Sequence, residues 1–175
     1  MAPAPSPEPP IATAPPSTEA LNPDAGFGEW VESTAYKIKV ASIQRCADVE
    51  GAPSDAARSM RIGVTVHIMS LYDEFFAAPR DLTIEKGGII IPSEINPKPS
   101  AGCTPLLQPT SMRHDQVMTG VVPFQIADES LLDSAVVAFK PTRWGGAPRV
   151  EVKITKSNLN LAPKGSAAQA RPKTK

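Results

Sequence analysis

The chain contains 175 residues, enough for one domain with tails. Apolar residues make up 41% and charged residues 21%, as in ordinary soluble globular proteins, while aromatic residues reach only 5%, so the core must consist mainly of Val, Ile and Leu. The formal net charge is zero, which argues against a nucleic-acid or membrane-surface binder, because such proteins are usually basic.

The two ends of the chain differ from its middle in composition and from each other in charge. Eight of the 20 prolines lie in the first 23 residues, and residues 1–30 contain four acidic residues but no Lys or Arg. Residues 156–175 contain five basic residues and no acidic one. We therefore predict a Pro/Ala-rich extended leader or tether over 1–30, a domain over 31–156 and a basic flexible tail over 157–175. The tails are either solvated and disordered, or they dock onto neighbouring copies or partners.

The first 20 residues lack the basic region and the continuous apolar region of a secretory signal peptide. We expect either a chain that is not exported by that route, or a mature form to which Met1 was added after a leader was removed. The Pro/Ala/Ser/Thr-rich start favours the second option, because it is typical of the spacer behind a lipoprotein cleavage site, and such a chain would be lipid-anchored. No apolar run reaches the 18 residues that a transmembrane segment needs.

Strand periodicity begins near residue 35. Tyr36, Ile38 and Val40 alternate with lysines, which predicts a strand with one buried face. The strongest pattern covers 61–69, where four alternating apolar residues predict the buried face: Ile62, Val64, Val66 and Ile68. The residues between them fall on the outer face: Arg61, Gly63, Thr65 and His67. We interpret His67 as a surface histidine and not as a ligand.

A pair of glycines predicts a β-hairpin. Residues 82–85 and 89–92 read as strands on either side of Gly87-Gly88, and tight primed turns need the positive φ that glycine allows. Pro92 ends the second strand or places it at a sheet edge. Further strands are predicted over 117–126, 135–139 and 150–154. Within the first of these, the apolar phase slips between Val121 and Val122, which predicts a β-bulge.

About seven strands and no long helix therefore occupy residues 35–155. Short strands separated by turns are typical of two packed antiparallel sheets, so we predict an all-β, antiparallel, immunoglobulin-like β-sandwich with disordered or extended termini. A segment of about 120 residues is long enough to enclose one core between two sheets.

Cys46 and Cys103 are the only cysteines, and we predict that they form a disulfide. Such a bond would fasten the long loop around Cys103 to the first strand and would imply an oxidising compartment or an extracellular particle. The alternative is a pair of buried, reduced thiols in a cytoplasmic protein.

Residues 93–115 form a long irregular segment with four prolines, and we regard it as the first candidate for a recognition surface, because long loops in compact domains are often functional. Further candidate interaction residues lie in or beside the neighbouring loops: Tyr72, Phe75, Phe76, His114 and Trp144. The alternative for the aromatic residues at 72–76 is a packed cluster at the edge of the core, with one phenylalanine inside and the other at the surface.

We find no pattern that predicts catalysis. The two histidines and two cysteines lack metal-ligand spacing, no serine lies in a G-x-S-x-G turn, and no glycine-rich phosphate loop is present. The adjacent carboxylates at 73–74 and 128–129 are typical of solvated turns. We therefore expect a non-enzymatic protein without a metal, a cofactor, a small-molecule substrate or a nucleic-acid ligand.

Three segments together resemble a known family. They are the alternating strand 61–68, the strand–glycine turn–strand segment 82–89, and residues 118–126, where Gly120 precedes an alternating Val/Phe segment. They are similar to the telokin-like, immunoglobulin-fold domains of secreted bacterial proteins and lipoproteins, including the DUF4352 group. The resemblance covers roughly residues 35–155 and departs at 70–74, where the family often has an Asn-rich turn. It implies an extracytoplasmic setting and supplies no catalytic residues.

Two functions fit these observations. The first is an accessory module at a bacterial cell envelope, tethered by the leader, that binds a partner protein through loops and sheet faces. The second is a structural subunit of a virion or other large particle, such as a decoration or coat protein, whose terminal arms contact neighbouring subunits. A carbohydrate-binding sandwich is a weaker third option, since Trp30 and Trp144 form no obvious stacking platform in the sequence.

Overall fold

Alternating apolar side chains organise the structure, a computed structural model that describes residues 2–4, 18–49 and 59–161. Most of the predicted leader and tail, residues 5–17 and 162–175, lies outside this description. The described strands are, in chain order, β1 (Val31–Glu32), β2 (Tyr36–Arg45), β3 (Met60–Ser70), β4 (Phe75–Ala77), β5 (Leu82–Lys86), β6 (Ile89–Pro92), β7 (Thr110–Met112), β8 (Val117–Ile126), β9 (Val136–Phe139), β10 (Val150–Lys153) and β11 (Leu159–Asn160). Single 3-10 turns cover Pro79–Asp81, Glu129–Leu132 and Lys156–Asn158.

Two main sheets form a sandwich. One has the order β1-β2-β3-β8 with β11 beside β2, and the other has the order β10-β9-β5-β6. The short strands β4 and β7 pair with each other. All described pairs are antiparallel except β11 with β2. The seven strands predicted from the sequence are confirmed as β2, β3, β5, β6, β8, β9 and β10.

The core lies between the sheets and is built from the faces that alternation predicted. The apolar residues of β2 and β3 named above are all fully buried, and the inward side chains of β5, β8, β9 and β10 meet them. Tyr36 links the two layers, since its ring packs edge-on to Phe139 and its hydroxyl donates to the Pro148 carbonyl at 2.6 Å. Burial raises the pKa of Tyr36, so this hydroxyl stays a donor.

The predicted bulge between Val121 and Val122 is wrong. The pairing of β8 with β3 runs without a shift from Met60↔Ile126 to Met69↔Val117. The apolar phase slips because this stretch of β8 is buried on both faces: Val122 enters the main core, and Val121 packs on the opposite face. The register shift that does occur in this sheet lies in β2, between Val40 and Ser42.

The predicted hairpin is confirmed. Lys86 pairs with Ile89 across Gly87-Gly88, whose φ angles are +54° and +85°. Such angles suit a two-residue type I′ turn, which explains why glycine occupies both positions. Pro92 lies in β6 at the edge of its sheet, as expected for a residue that lacks an N–H.

The chain continues to contact the sandwich beyond the predicted domain boundaries. Glu19 and Leu21 donate backbone hydrogen bonds to Arg149 and Glu32, at 2.8 and 2.7 Å. At the other end, β11 adds Leu159 and Asn160 to the edge of β2. The division into leader, domain and tail remains a prediction. Within the described residues, no helix has the length and apolarity to cross a membrane.

Candidate functional site

The loop between β6 and β7 is fastened to the outer face of β3 by a buried arginine. The Arg61 side chain is 1% exposed and meets the Glu94 carboxylate through two hydrogen bonds, at 2.8 and 2.9 Å. It also donates to the Ser100 hydroxyl at 2.7 Å and to the Lys98 carbonyl at 2.8 Å. The planar guanidinium can make all of these bonds at once, so it holds residues 94–100 in one arrangement.

The far end of the loop is fixed by the predicted disulfide. Cys46 and Cys103 are bonded, with Cα atoms 5.4 Å apart and a sequence separation of 57. Beside the bond, Ala47 N–H donates to the Ala101 carbonyl at 2.8 Å. Closing a loop of this length stabilises the fold by roughly 4 kcal/mol in the chain-entropy model.

This loop changes the outer face of β3 from what alternation predicted. Arg61 and Gly63 were expected to face outward, yet both are buried beneath the loop. A Cβ at Gly63 would lie 2.6 Å from Val121 Cγ1 and 2.9 Å from the sulfur atoms of Cys46 and Cys103. The two cysteines and Val121 thus form a second, small apolar cluster, and glycine is needed because the disulfide lies directly against the strand.

Next to the fastened loop lies a groove of about 760 Å³. The loop forms one wall, and β4 with the turn after it contributes to the other. The lining is largely apolar, and half of its main apolar residues are prolines. These residues are Phe76, Pro79, Ile95, Pro97, Leu106 and Pro109. The volume lies within the range of ligand sites in proteins, about 300–1,000 Å³. Proline backbones have few conformations to lose on binding, so the groove is largely preformed.

The groove carries positive charge. Arg80 and Arg143 line it and are exposed, and neither forms an ion pair with any residue in 18–49 or 59–161. Glu94 also lines the groove, but its charge is compensated by Arg61. The Arg143 guanidinium lies over the Phe76 ring, 4.7 Å from its centroid, so a cation-π contact holds it against the groove lining.

The candidate aromatic residues lie around β4, and one of them, Phe76, lines the groove. Tyr72 is half exposed and packs edge-on to Trp144, with ring centroids 5.2 Å apart. Phe75 lies 5.1 Å from Trp144 and is fully buried, so it supports that ring and does not itself reach the surface. Phe76 lies half buried on the opposite side of β4, in the groove. The expectation of one phenylalanine inside and one at the surface is confirmed.

His114 lies at the margin of the same surface. Its backbone N–H donates to the Asp73 carboxylate at 3.1 Å, which joins its turn to the loop that carries Tyr72. Its exposed ring is 3.0 Å from the Asp115 carboxylate. The structure therefore brings Tyr72, Phe75 and Trp144 into contact, places Phe76 in the groove, and joins the backbone of His114 to the loop that carries Tyr72.

His67 lies elsewhere, at the open end of the outer face of β3. Its ring is half buried, packs against Trp30 and shares a hydrogen bond of 2.8 Å with Thr119. Burial, and to a lesser degree Lys39, lower the pKa of His67. In the part of the chain that the structure describes, no three His, Cys, Asp or Glu side chains lie together as metal ligands would.

Sequence reasoning missed the charged residues of the site. Arg80 and Arg143 lie 63 positions apart in segments without a motif, and only the fold places them in one groove. Arg61 was assigned to a solvated face because alternation cannot show that a distant loop covers it. The one available signal was the long Pro-rich loop itself, and that segment does form a wall of the groove.

Comparisons with known proteins support the fold. No family model matches the sequence, and no curated protein matches it. A candidate lipoprotein of Bacillus subtilis (ycdA) has a similar structure, with a TM-score of 0.57 and 15% identity over 74% of this chain and 40% of that one. The chain thus spans less than half the length of that lipoprotein. The secreted protein MPT63 of Mycobacterium tuberculosis is also similar, with a TM-score of 0.53 and 13% identity over 74% of this chain and 95% of that one.

Both similar structures are β-sandwiches of extracytoplasmic proteins, and the predicted fold class is confirmed. At these identities the likeness concerns the fold alone. No family-model match supports the narrower resemblance to the DUF4352 group.

Proposed function

We propose that this chain is a non-enzymatic, extracytoplasmic module of a bacterial cell envelope that binds a partner protein. The disulfide between Cys46 and Cys103 supports an oxidising compartment. The lipoprotein and the secreted protein that share its fold support the same setting. The groove and the adjoining Tyr72–Trp144 pair serve as the binding surface.

The observation that carries this proposal is the preformed, positively charged groove. Arg61 and the disulfide hold one wall in place before any partner arrives, so little conformational entropy is lost on binding. The apolar floor suits an extended segment with apolar side chains, and Arg80 and Arg143 suit acidic groups on the same segment. Tyr72 and Trp144 extend the contact, as rigid aromatic residues often do at interfaces.

The aromatic pair fits a protein better than a sugar. The rings of Tyr72 and Trp144 meet at 61°, so they form no flat platform on which a sugar ring could stack. The particle-subunit alternative gains no support from the two similar structures, neither of which is described as a particle protein.

Charge reversal in the groove tests the proposal. Tagged wild-type protein is used to capture partners from the envelope fraction of the source bacterium, beside the variant Arg80→Glu/Arg143→Glu. The control Lys153→Glu/Lys156→Glu makes the same change in net charge on residues outside the groove lining. We expect wild type and control to retain the same partner, and the groove variant to lose at least 90% of it. Equal retention by all three proteins would refute the groove as the binding site.

A further inference from the structure

Among the described residues, one sheet edge is open, whereas the other edges are hydrogen-bonded by nearby chain segments. Leu21 N–H donates to the Glu32 carbonyl of β1, and Glu19 N–H donates to the Arg149 carbonyl beside β10. Along β8, the Val121 N–H donates to the Pro105 carbonyl, and the Val121 carbonyl accepts from the Leu107 N–H. Across residues 2–4, 18–49 and 59–161, no group donates to or accepts from the outer edge of β6.

The open edge is also apolar. Ile89 and Ile90 are 53% and 63% exposed, whereas the isoleucines of the other strands are buried. Exposed apolar edge strands are templates for pairing with another strand, and proteins usually protect them with charges or a covering segment. β6 contains no charged residue.

The register shows which backbone groups are free. Lys86 and Ile89 close the two-residue turn and therefore form a hydrogen-bonded pair. Because such pairs alternate along an antiparallel ladder, the N–H and C=O of Ile89 and Ile91 point to β5, and those of Ile90 point outward. Pro92 contributes no N–H. Ile90 thus offers both a free donor and a free acceptor, whereas Pro92 offers only its C=O.

We propose that β6 pairs with β6 of a second copy of this chain, antiparallel and centred on Ile90. In that register the N–H and C=O of Ile90 bond to the C=O and N–H of Ile90 in the second copy. Ile91 lies opposite Ile89, and Pro92 lies opposite Gly88, which has no side chain to obstruct the ring. Every pair along the contact is apolar or glycine, so the strand is complementary to itself, and the two four-stranded sheets join into one.

The contact is small, so the dimer is weak and reversible. Ile89 and Ile90 together expose on the order of 200 Å² per copy. A total of roughly 400 Å² of isoleucine surface lies well below the standard size of stable interfaces. The far end of β6 adds little, because there the chain turns toward β8 and Glu94 N–H donates to the Pro123 carbonyl. We therefore expect dimers at protein concentrations of about 0.1–1 mM.

Sedimentation equilibrium of the full chain tests the pairing. Ile90→Lys places two like charges opposite each other at the two-fold axis and should weaken the dimer at least ~10-fold, while its melting temperature stays that of the wild-type monomer because the side chain is exposed. The control Val117→Lys introduces the same charge at an exposed position of β8 and should dimerise like wild type. An equimolar mixture of Ile90→Lys and Ile90→Glu should recover the dimer as a heterodimer.

The results separate cleanly from those of the groove experiment, since Ile90 does not line the groove. A wild-type protein that stays monomeric up to about 1 mM would overturn the proposal. A dimer that Ile90→Lys leaves unchanged, or a charge-paired mixture that stays monomeric, would overturn it equally.

Discussion

The two ends of the outer face of β3 have the same alternating sequence pattern and opposite surroundings. At the Thr65–His67 end the outer side chains are half exposed, and His67 reaches Trp30 and Thr119 at the surface. At the Arg61–Gly63 end the outer face is buried beneath the fastened loop and the disulfide. Strand periodicity assigns a residue to a face, but a segment distant in sequence decides whether that face meets water.

The difference explains how a long irregular loop becomes part of a binding surface. A loop that merely crossed the sheet would leave its backbone groups to water and would sample many conformations. Here Arg61 joins the loop to β3, and the disulfide joins it to Cys46 at the end of β2, so its other side presents a defined wall. The covered end of β3 therefore supports the groove, and the open end does not.

The largest expected effect is a loss of stability that distinguishes the inner face of β3 from its outer face. Val66→Asp buries a charge without a partner in the main core, so we expect a loss of at least ~4 kcal/mol in the free energy of unfolding, or no folded protein. Thr65→Asp, one residue away on the outer face, should cost less than ~1.5 kcal/mol. Urea denaturation of both variants measures the difference. Equal midpoints would show that the face assignment is wrong.

Next in size is the buried arginine. Arg61→Met keeps an unbranched apolar stem but leaves the Glu94 carboxylate, 19% exposed, without its ion-pair partner. We expect a loss of about 3 kcal/mol, since breaking a buried pair strands a charge. Lys37→Met makes the same change in the surface pair with Glu32 and should cost less than ~1 kcal/mol. If the two variants are equally stable in urea, the loop is not fastened by Arg61.

A smaller effect is expected from a single methyl group under the disulfide. Gly63→Ala forces a Cβ within 3 Å of Val121 and both sulfur atoms, and should destabilise the protein by about 2 kcal/mol. Gly145→Ala adds the same group where no atom lies within 4 Å and should change stability by no more than ~0.5 kcal/mol. Thermal unfolding of both variants measures the difference. A neutral Gly63→Ala would contradict the close packing at the covered end of β3.

The smallest effect belongs to the open end and depends on pH. The pKa of His67 in the folded protein lies below its ordinary value of 6.5 because burial disfavours the charged ring. The unfolded chain therefore binds a proton first as the pH falls, so this contribution is complete above about pH 6.5 and declines from there toward the folded pKa. His67→Gln should remove that decline between pH 7.5 and 5.5. A decline of equal size in the variant would assign it to another group.

Much of the sandwich was predictable because its determinants are local. Four alternating residues in β3 and the glycine pair at 87–88 specify a strand and a turn without reference to the rest of the chain. The disulfide followed from a count of two cysteines. The false bulge in β8 shows the limit of such reasoning, because Val121 contacts a disulfide whose nearer cysteine is 18 positions away. The pairing of β4 with β7 was missed for a different reason: each strand is only three residues long, too short for alternation to show.

The candidate site was predictable in part. The aromatic residues and the loop stood out by composition, and the structure places Tyr72, Phe75 and Trp144 in contact. The charge of the groove could not be read from the sequence. Only the fold brings Arg80 and Arg143 to one surface, and only the fold pairs the Glu94 carboxylate in the same lining with Arg61.

Hydrogen exchange of the oxidised and the reduced protein tests most directly the claim that the loop is a preformed wall. The amides of Glu94, Cys103 and Leu107 donate to Pro123, Ser100 and Val121 in the oxidised fold. After reduction of the disulfide, we predict that exchange at these three amides accelerates more than ~10-fold beyond any change in β5 and β9, because the loop opens locally while the core remains paired. Unchanged protection of the loop, or an equal acceleration throughout the domain, would contradict the account.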